Sequence, residues 1–231
     1  LRLNMEGNQV LIIFDYQTGD AAGQNMVTLC TEALCNYILQ NCPIKPEFWF
    51  IESNYSGDKK ATALSFTSVR GKKVTAEATV TQKVVKEVLG TTPGDIAQYW
   101  QSSSVSAVQS GGIGIQGHFA NGLTALFMAT GQDVACVSEA YVGITRMEVT
   151  KQGDLYLSVT LPSLTVGTVG GGTGLPTQRE CLKMLGCEGT GTARKFAEIC
   201  GATVLAGELS IAAALANGNF SKAHRLFGRK K

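Results

Sequence analysis

The placement of glycine constrains this chain more than any other feature. Of its 231 residues 27 are glycine, and they gather in segments that each sit just before a stretch of helical character, rather than being spread as in a flexible linker. Gly167-Thr168-Val169-Gly170-Gly171-Gly172-Thr173-Gly174 holds five glycines in eight residues and runs into Leu175-Pro176, where a helix opens. Ordering that much glycine costs backbone entropy, so the segment is read as one whose bare backbone is needed. A second loop, Thr18-Gly19-Asp20-Ala21-Ala22-Gly23-Gln24-Asn25, joins a strand to a helix. Its small residues let an anionic ligand approach the N–H groups of a helix N-terminus; the competing reading is a plain turn capped by Asp20. A third segment, Gly112-Ile113-Gly114-Ile115-Gln116-Gly117, matches GxGxxG, but a Ser-rich stretch precedes it instead of a strand. It is read as letting a helix start close against a neighbour, not as a dinucleotide fingerprint.

An apolar content of 44% with 16% charged residues gives a chain of this length a core large enough for one large domain or two small ones, and excludes disorder. A net charge of +2 gives no electrostatic reason to expect nucleic acid or an anionic membrane as partner. Cys30, Cys35, Cys42, Cys136, Cys181, Cys187 and Cys200 form no CxxC pair, so neither a disulfide framework nor a zinc site is expected, and a reducing, cytoplasmic setting is. The longest wholly apolar runs, residues 10–14 and 211–216, fall short of the roughly 20 residues of a membrane span, and the chain is expected to be soluble. It opens at Leu1 rather than Met, from which further residues upstream are expected, and the closing Arg229-Lys230-Lys231 reads as a frayed basic end.

Periodicity predicts strands at residues 9–14, 72–80 and 154–166, the last as one or two, and helices at 25–40, 82–89, 117–130, 177–185, 193–201 and 203–216. This alternation argues for a mixed α/β or α+β protein. In the first helix Met26, Leu29, Cys30, Ala33, Leu34, Tyr37 and Ile38 recur at three- and four-residue spacing, a face expected to be core.

Acid–base candidates are few. Of two histidines, His118 opens a helix and reads as structural, while His224 has basic neighbours that disfavour the imidazolium and suits a general acid near neutrality. From local sequence alone, a solvated surface histidine is the favoured reading. Asp58-Lys59-Lys60 follows a turn-rich polar segment; a lysine beside an aspartate can stabilise an oxyanion, although a solvated charge cluster is the commoner case. Asp133, after an apolar helix, reads equally as a turn residue.

Taken together these segments carry a resemblance. TGDAAGQNM at residues 18–26, NYSGDKK at 54–60, GQD at 131–133, GTVGGGT at 167–173, CLKMLG at 181–186, AGELSIAAA at 206–214 and KAH at 222–224 occur in the order found in hydroxymethylglutaryl-CoA reductases. The chain resembles the class I form of that family over about residues 7–224. The resemblance implies a two-step, four-electron reduction of a thioester to an alcohol, hydroxymethylglutaryl-CoA to mevalonate, with two hydrides from NADPH and release of CoA; NADH is left open as the donor. By similarity, Lys59 stabilises the substrate oxygen, Asp133 tunes Lys59, and His224 protonates the departing thiolate. Asp20, Ala21, Ala22, Gly23, Gln24 and Asn25, with Thr168, Val169, Gly170, Gly171 and Gly172, contact the dinucleotide. Glu52, Asp58, Lys60 and Asn121 lie around the acyl substrate, and no metal is implied. The resemblance also implies a homodimer or higher oligomer, a partial ferredoxin-like cofactor domain at residues 1–51, and a larger substrate domain with a long central helix at 52–231. Glu52 and Gln101 stand where the family usually has serine and lysine, and the family's catalytic glutamate lies upstream of these residues, so a C-terminal portion of the catalytic region is expected. The alternatives are a catalytically incomplete fragment, a non-enzymatic binding homologue, or a reductase of a different acyl-CoA.

Overall fold

The computed structural model describes residues 1–228; the expectation for the basic end at 229–231 lies outside them. Strands β1 (Arg2–Glu6) and β2 (Gln9–Ile13) pair antiparallel through a two-residue turn, and an irregular stretch leads to helix α1 (Gln24–Asn41). After a long loop come α2 (Leu64–Thr67), β3 (Lys72–Val80), α3 (Gln82–Leu89), α4 (Pro93–Gln109), α5 (Phe119–Thr130), α6 (Val137–Ala140), β4 (Ile144–Val149) and β5 (Leu155–Leu164). The chain continues with α7 (Pro176–Met184), α8 (Ala193–Ala216) and α9 (Phe220–Phe227). The second sheet has the order β3-β5-β4, antiparallel throughout. Helices with two small antiparallel sheets make an α+β protein.

The core forms where α8 crosses this sheet. Leu155, Leu157, Val159 and Leu161 alternate along β5 and are all fully buried, as a central strand pressed on by helices requires. One cluster joins Val159 and Leu161 to Phe119, Leu123 and Phe127 of α5 and to Phe196, Cys200 and Val204 of α8. A second joins Leu155 and Leu157 to Val85, Ile96, Met147 and Ala212. The helix starts carry their own signals: Thr92 accepts from Asp95 N at 3.1 Å, the Asp95 carboxylate accepts back from the Thr92 hydroxyl at 2.7 Å, and Pro93 opens α4, a cap with proline where no N–H is needed.

Three expectations change. Residues 193–201 and 203–216 are one continuous helix, α8. Gly201 sits mid-helix because a Cβ there would meet Val74 Cγ1 of β3 at 2.6 Å, so it marks a close crossing and not a helix end. By length and composition α8 is also apolar enough to cross a membrane, which the wholly apolar runs did not indicate; within the fold it packs on the sheet and buries Glu208. The apolar face of α1 is not core: the helix has no buried residue, and Leu29 and Tyr37 remain 67% and 65% exposed. Periodicity reports which face is apolar, not what covers it.

Candidate active site

The site is assembled from three loops, each fixed by a side chain that satisfies backbone groups. Between α1 and α2, the Glu52 carboxylate accepts from the Asn54 N–H and, at 2.9 Å, from the Ser56 hydroxyl, while Ser56 Oγ accepts from Asp58 N at 3.1 Å. The loop then turns through Gly57 at φ 73° into Lys59 at φ 56°. A lysine in the left-handed region is strained by roughly 1–2 kcal/mol, and such strain persists only where the surroundings over-determine it. Glu139 supplies one such constraint: its Oε1 accepts from Lys59 N at 3.2 Å. Lys60 turns back, its Nζ donating to the Asp58 carbonyl at 3.0 Å.

The second loop follows α5. Asp133 caps the short 3-10 turn Val134–Cys136, its Oδ1 accepting from Ala135 N at 3.0 Å. That bond aims the other oxygen outward, and Lys59 Nζ meets Asp133 Oδ2 at 2.9 Å. Beside this pair Arg70 Nη2 reaches Asp58 at 2.6 Å, and Arg70 Nη1 holds both oxygens of the buried Glu139 at 2.5 and 2.7 Å. Donor atoms of Asp58, Cys136 and Glu139 lie within 4.8 Å of one another, and the single guanidinium of Arg70 is shared between the two acids of that group.

The third loop is the glycine segment. Gly167 N donates to Gln132 Oε1 at 2.9 Å, and Gln132 Nε2 donates back to Gly167 O at 2.9 Å and to Thr130 O at 3.1 Å. One buried amide therefore docks the loop carrying Asp133 onto the glycine loop. The backbones meet so closely that a Cβ on Gly131 would lie 2.2 Å from Gly172 O. A Cβ on Gly167 would likewise lie 2.4 Å from Ala22 N, and Ala21 bridges Val169. The two glycine-bearing loops thus form one surface. Thr168 is buried in it, its N–H donating to Asp20 O at 2.8 Å and its hydroxyl to Gly189 O at 2.8 Å.

Asp20 does not cap α1. Its carboxylate accepts from Gly191 N at 2.8 Å and Ala193 N at 3.2 Å, capping the start of α8, and these bonds hold it below the ordinary carboxylate range. The cap position of α1 is Gly23, with no side-chain cap and no acid in the first turn. The first N–H groups of α1 are therefore left for water or an anion. Gly170, Gly171 and Gly174 face open space where a Cβ would stand. Gln24 points inward, its Nε2 donating to Cys136 Sγ at 2.9 Å.

These contacts set the charges. The hydrogen bond from Lys59 to Asp133, with Coulomb attraction from Asp133 and Asp58, holds the Lys59 ammonium above its ordinary pKa. Burial pushes Asp133 upward, but the bonds from Lys59 and Ala135 outweigh it and its carboxyl lies below the ordinary value. Burial, helped by the nearby acids, pushes the Cys136 thiol up to about 12, so it is a neutral hydrogen-bond partner at physiological pH. An ammonium paired with a carboxylate, on a loop docked against the glycine segment, is equipped to receive negative charge developing on an oxygen.

The family model described as hydroxymethylglutaryl-coenzyme A reductase matches residues 1–229. The chain belongs to the hydroxymethylglutaryl-coenzyme A reductase family. It is 45% identical to the 3-hydroxy-3-methylglutaryl-coenzyme A reductase of Pyrococcus horikoshii, over 96% of this chain and 55% of that protein. To the reductase of Methanocaldococcus jannaschii it is 46% identical, over 94% of the chain and 54% of the relative. To reductase 1 of Oryza sativa subsp. japonica it is 40% identical, over 99% of the chain and 44% of the relative. The chain thus spans about half the length of these family members.

The fold brings Lys59, Asp133, Asp58 and the two glycine loops of this reductase family member together. It does not bring His224 to them: α9 packs on the end of α8, His224 Nδ1 bonds Phe220 O at 2.8 Å, and its ring lies tilted against that of Phe220 with centroids 4.5 Å apart. Asn121 lies exposed on the first turn of α5, and Gln101 is exposed on α4. Arg70, Gln132, Cys136 and Glu139 were not singled out from sequence. Glu139 did carry a signal, as the one charged residue in the apolar run 134–142, since an acid in such a run needs a buried partner.

Proposed function

We propose that the protein to which this chain belongs reduces hydroxymethylglutaryl-CoA to mevalonate, using NADPH as hydride donor and releasing CoA. The observation that carries the reading is the Lys59–Asp133 pair at 2.9 Å beside the joined glycine loops. The uncapped start of α1 and the open backbone at Gly170 and Gly171 fit a dinucleotide, whose phosphates gain from bare N–H groups and the helix dipole. Asp20 through Asn25 and Thr168 through Gly172 would hold it. When bound, NADPH supplies hydride, twice per substrate.

The chain's own residues handle charge and protons. Lys59 donates hydrogen bonds to the thioester oxygen and later to the aldehyde oxygen, and Asp133 keeps it protonated. His224 gives a proton to the departing thiolate once α9 reaches the substrate. Asp58, Lys60, Asn121 and the loop held by Glu52 border the acyl group. The exposed apolar face of α1 supports a homodimer or higher oligomer, and seven free thiols support a reducing, cytoplasmic setting. The test follows NADPH oxidation and free thiol together in the purified chain with hydroxymethylglutaryl-CoA, with His224→Gln as control. Coupled oxidation and thiol release, with release lost in the control, is the expected result; no oxidation despite NADPH binding would overturn the reading for this chain.

A further inference from the structure

Arg70 touches neither Lys59 Nζ nor Asp133, yet it is placed to decide which carboxylate Lys59 pairs with. Two acids compete for the Lys59 ammonium: Asp133 in contact at 2.9 Å, and Asp58, the preceding residue, which already attracts it through space. A third, Glu139, holds the backbone N–H of the same lysine at 3.2 Å. The side chain of Glu139 is 3% exposed, so its charge cannot stand unpaired. The Arg70 guanidinium occupies both of these carboxylates at once, Nη1 on the two Glu139 oxygens and Nη2 on Asp58. Its planar fork fits that double duty, which the point charge of a lysine would not.

We infer that Arg70 is a positioning residue that reserves the Lys59 ammonium for Asp133 by occupying Asp58 and Glu139. Without the guanidinium, Asp58 next to Lys59 and Glu139 at its backbone N–H both lose their cation, and the ammonium swings from Asp133 toward that side. The pair that receives the substrate oxygen is then dissolved although every residue of that pair is still present. This rests on the reading of Lys59 as the oxygen-stabilising group only for its catalytic consequence; the geometry of the lysine is testable without turnover.

The experiment is a double-mutant cycle read on the Lys59 ammonium itself. The 1H–15N signal of its Nζ is recorded at neutral pH in the full chain and assigned by its loss in Lys59→Arg. Asp133→Asn is expected to shift this signal strongly in the native background, and by less than about half as much in Arg70→Gln, where Asp133 is no longer the partner. Arg70→Gln/Glu139→Gln, which also removes the buried rival charge, is expected to recover part of the Asp133 effect. Arg70→Lys restores charge but not the fork and is expected to fall between. An undiminished Asp133→Asn shift in Arg70→Gln overturns the inference. Should Arg70→Gln fail to fold, the cycle is read in the double variant and in Arg70→Lys, and a native-sized Asp133 effect in both overturns it equally. Turnover is scored separately: its absence in the native chain bears on the proposed reaction and leaves the signal readable.

Discussion

Gln132 is the joint on which the candidate site depends, and replacing it with leucine isolates that role. Its amide satisfies both backbone groups of Gly167, at 2.9 Å each, and the Thr130 carbonyl at 3.1 Å. Gly167 is itself buried against Ala22 and Asp20, so water cannot replace these partners. Leucine has similar volume and leaves no large cavity, so the loss is chiefly that of orphaned polar groups. Each orphan costs about 1–3 kcal/mol, and with some relaxation Gln132→Leu is expected to lose about 2–4 kcal/mol. At about 2–4 °C per kcal/mol for a domain of this size, the melting temperature falls by about 4–16 °C. Urea unfolding gives the free energy, and hydrogen exchange at the Gly167 amide places the effect: that amide should exchange faster than its neighbours on β5. A loss under about 0.5 kcal/mol with Gly167 protection unchanged would refute the argument that this amide docks the two loops.

The Lys59–Asp133 pair sets a pH window with two limbs. The Asp133 pKa is lowered in the fold, so the stability it contributes is present above its unfolded value near 3.8 and is lost as pH falls through the folded value. Lys59 is raised, so its contribution is present below about 10.5, the free-lysine range, and is lost as pH rises past the folded value. Asp133→Asn should remove the acid limb from an unfolding-versus-pH series, and an unchanged limb would count against the pair. Glu208, buried in α8, accepts from the N–H groups of Gly117 and His118 and, at 2.8 Å, from the Thr145 hydroxyl. Glu208→Ala should lose about 3–5 kcal/mol by orphaning these donors, whereas Glu208→Gln should lose under about half of that because its carbonyl still accepts; equal losses in urea unfolding would refute the assignment. Asp20→Ala removes the cap of α8 and should cost about 0.5–2 kcal/mol, read as faster exchange at the Gly191 and Ala193 amides; unchanged exchange would mean the cap is not made in solution.

Much of this architecture was legible because local signals and packing agree. Strand β3 and helix α3 have the bounds that periodicity predicts, since Val74, Ala76, Ala78 and Val80 alternate toward α8 and Thr81 and Gly90 bracket the helix that follows. Helix α4 was missed because Ser102, Ser103, Ser104 and Ser106 weaken helix propensity, while tertiary burial of Ile96 and Ala97 outweighs that weakness. Strand β4 was missed because its inward residues, Thr145 and Met147, do not make a strongly apolar alternation. In the site, charged motif residues stood out, but the groups that hold them did not. Gln132 and Arg70 act through partners far away in sequence, Gly167 and Glu139, and single-residue patterns carry no trace of such pairing. A cap by Asp20 was one of two readings of the loop into α1, and the structure puts that carboxylate on a different helix, because the α8 N-terminus 173 positions away is a neighbour only in three dimensions.

The most direct test replaces Lys59 with methionine, an unbranched side chain one atom shorter that removes the charge. The purified Lys59→Met chain is compared with the native one for thermal unfolding, NADPH binding and hydroxymethylglutaryl-CoA reduction followed by free thiol. Cofactor binding is expected within about 2-fold of native and turnover reduced by about 10²–10³-fold or more, as when a preorganised oxyanion donor is removed. Turnover within a few-fold of native in a folded Lys59→Met protein would contradict that role of Lys59.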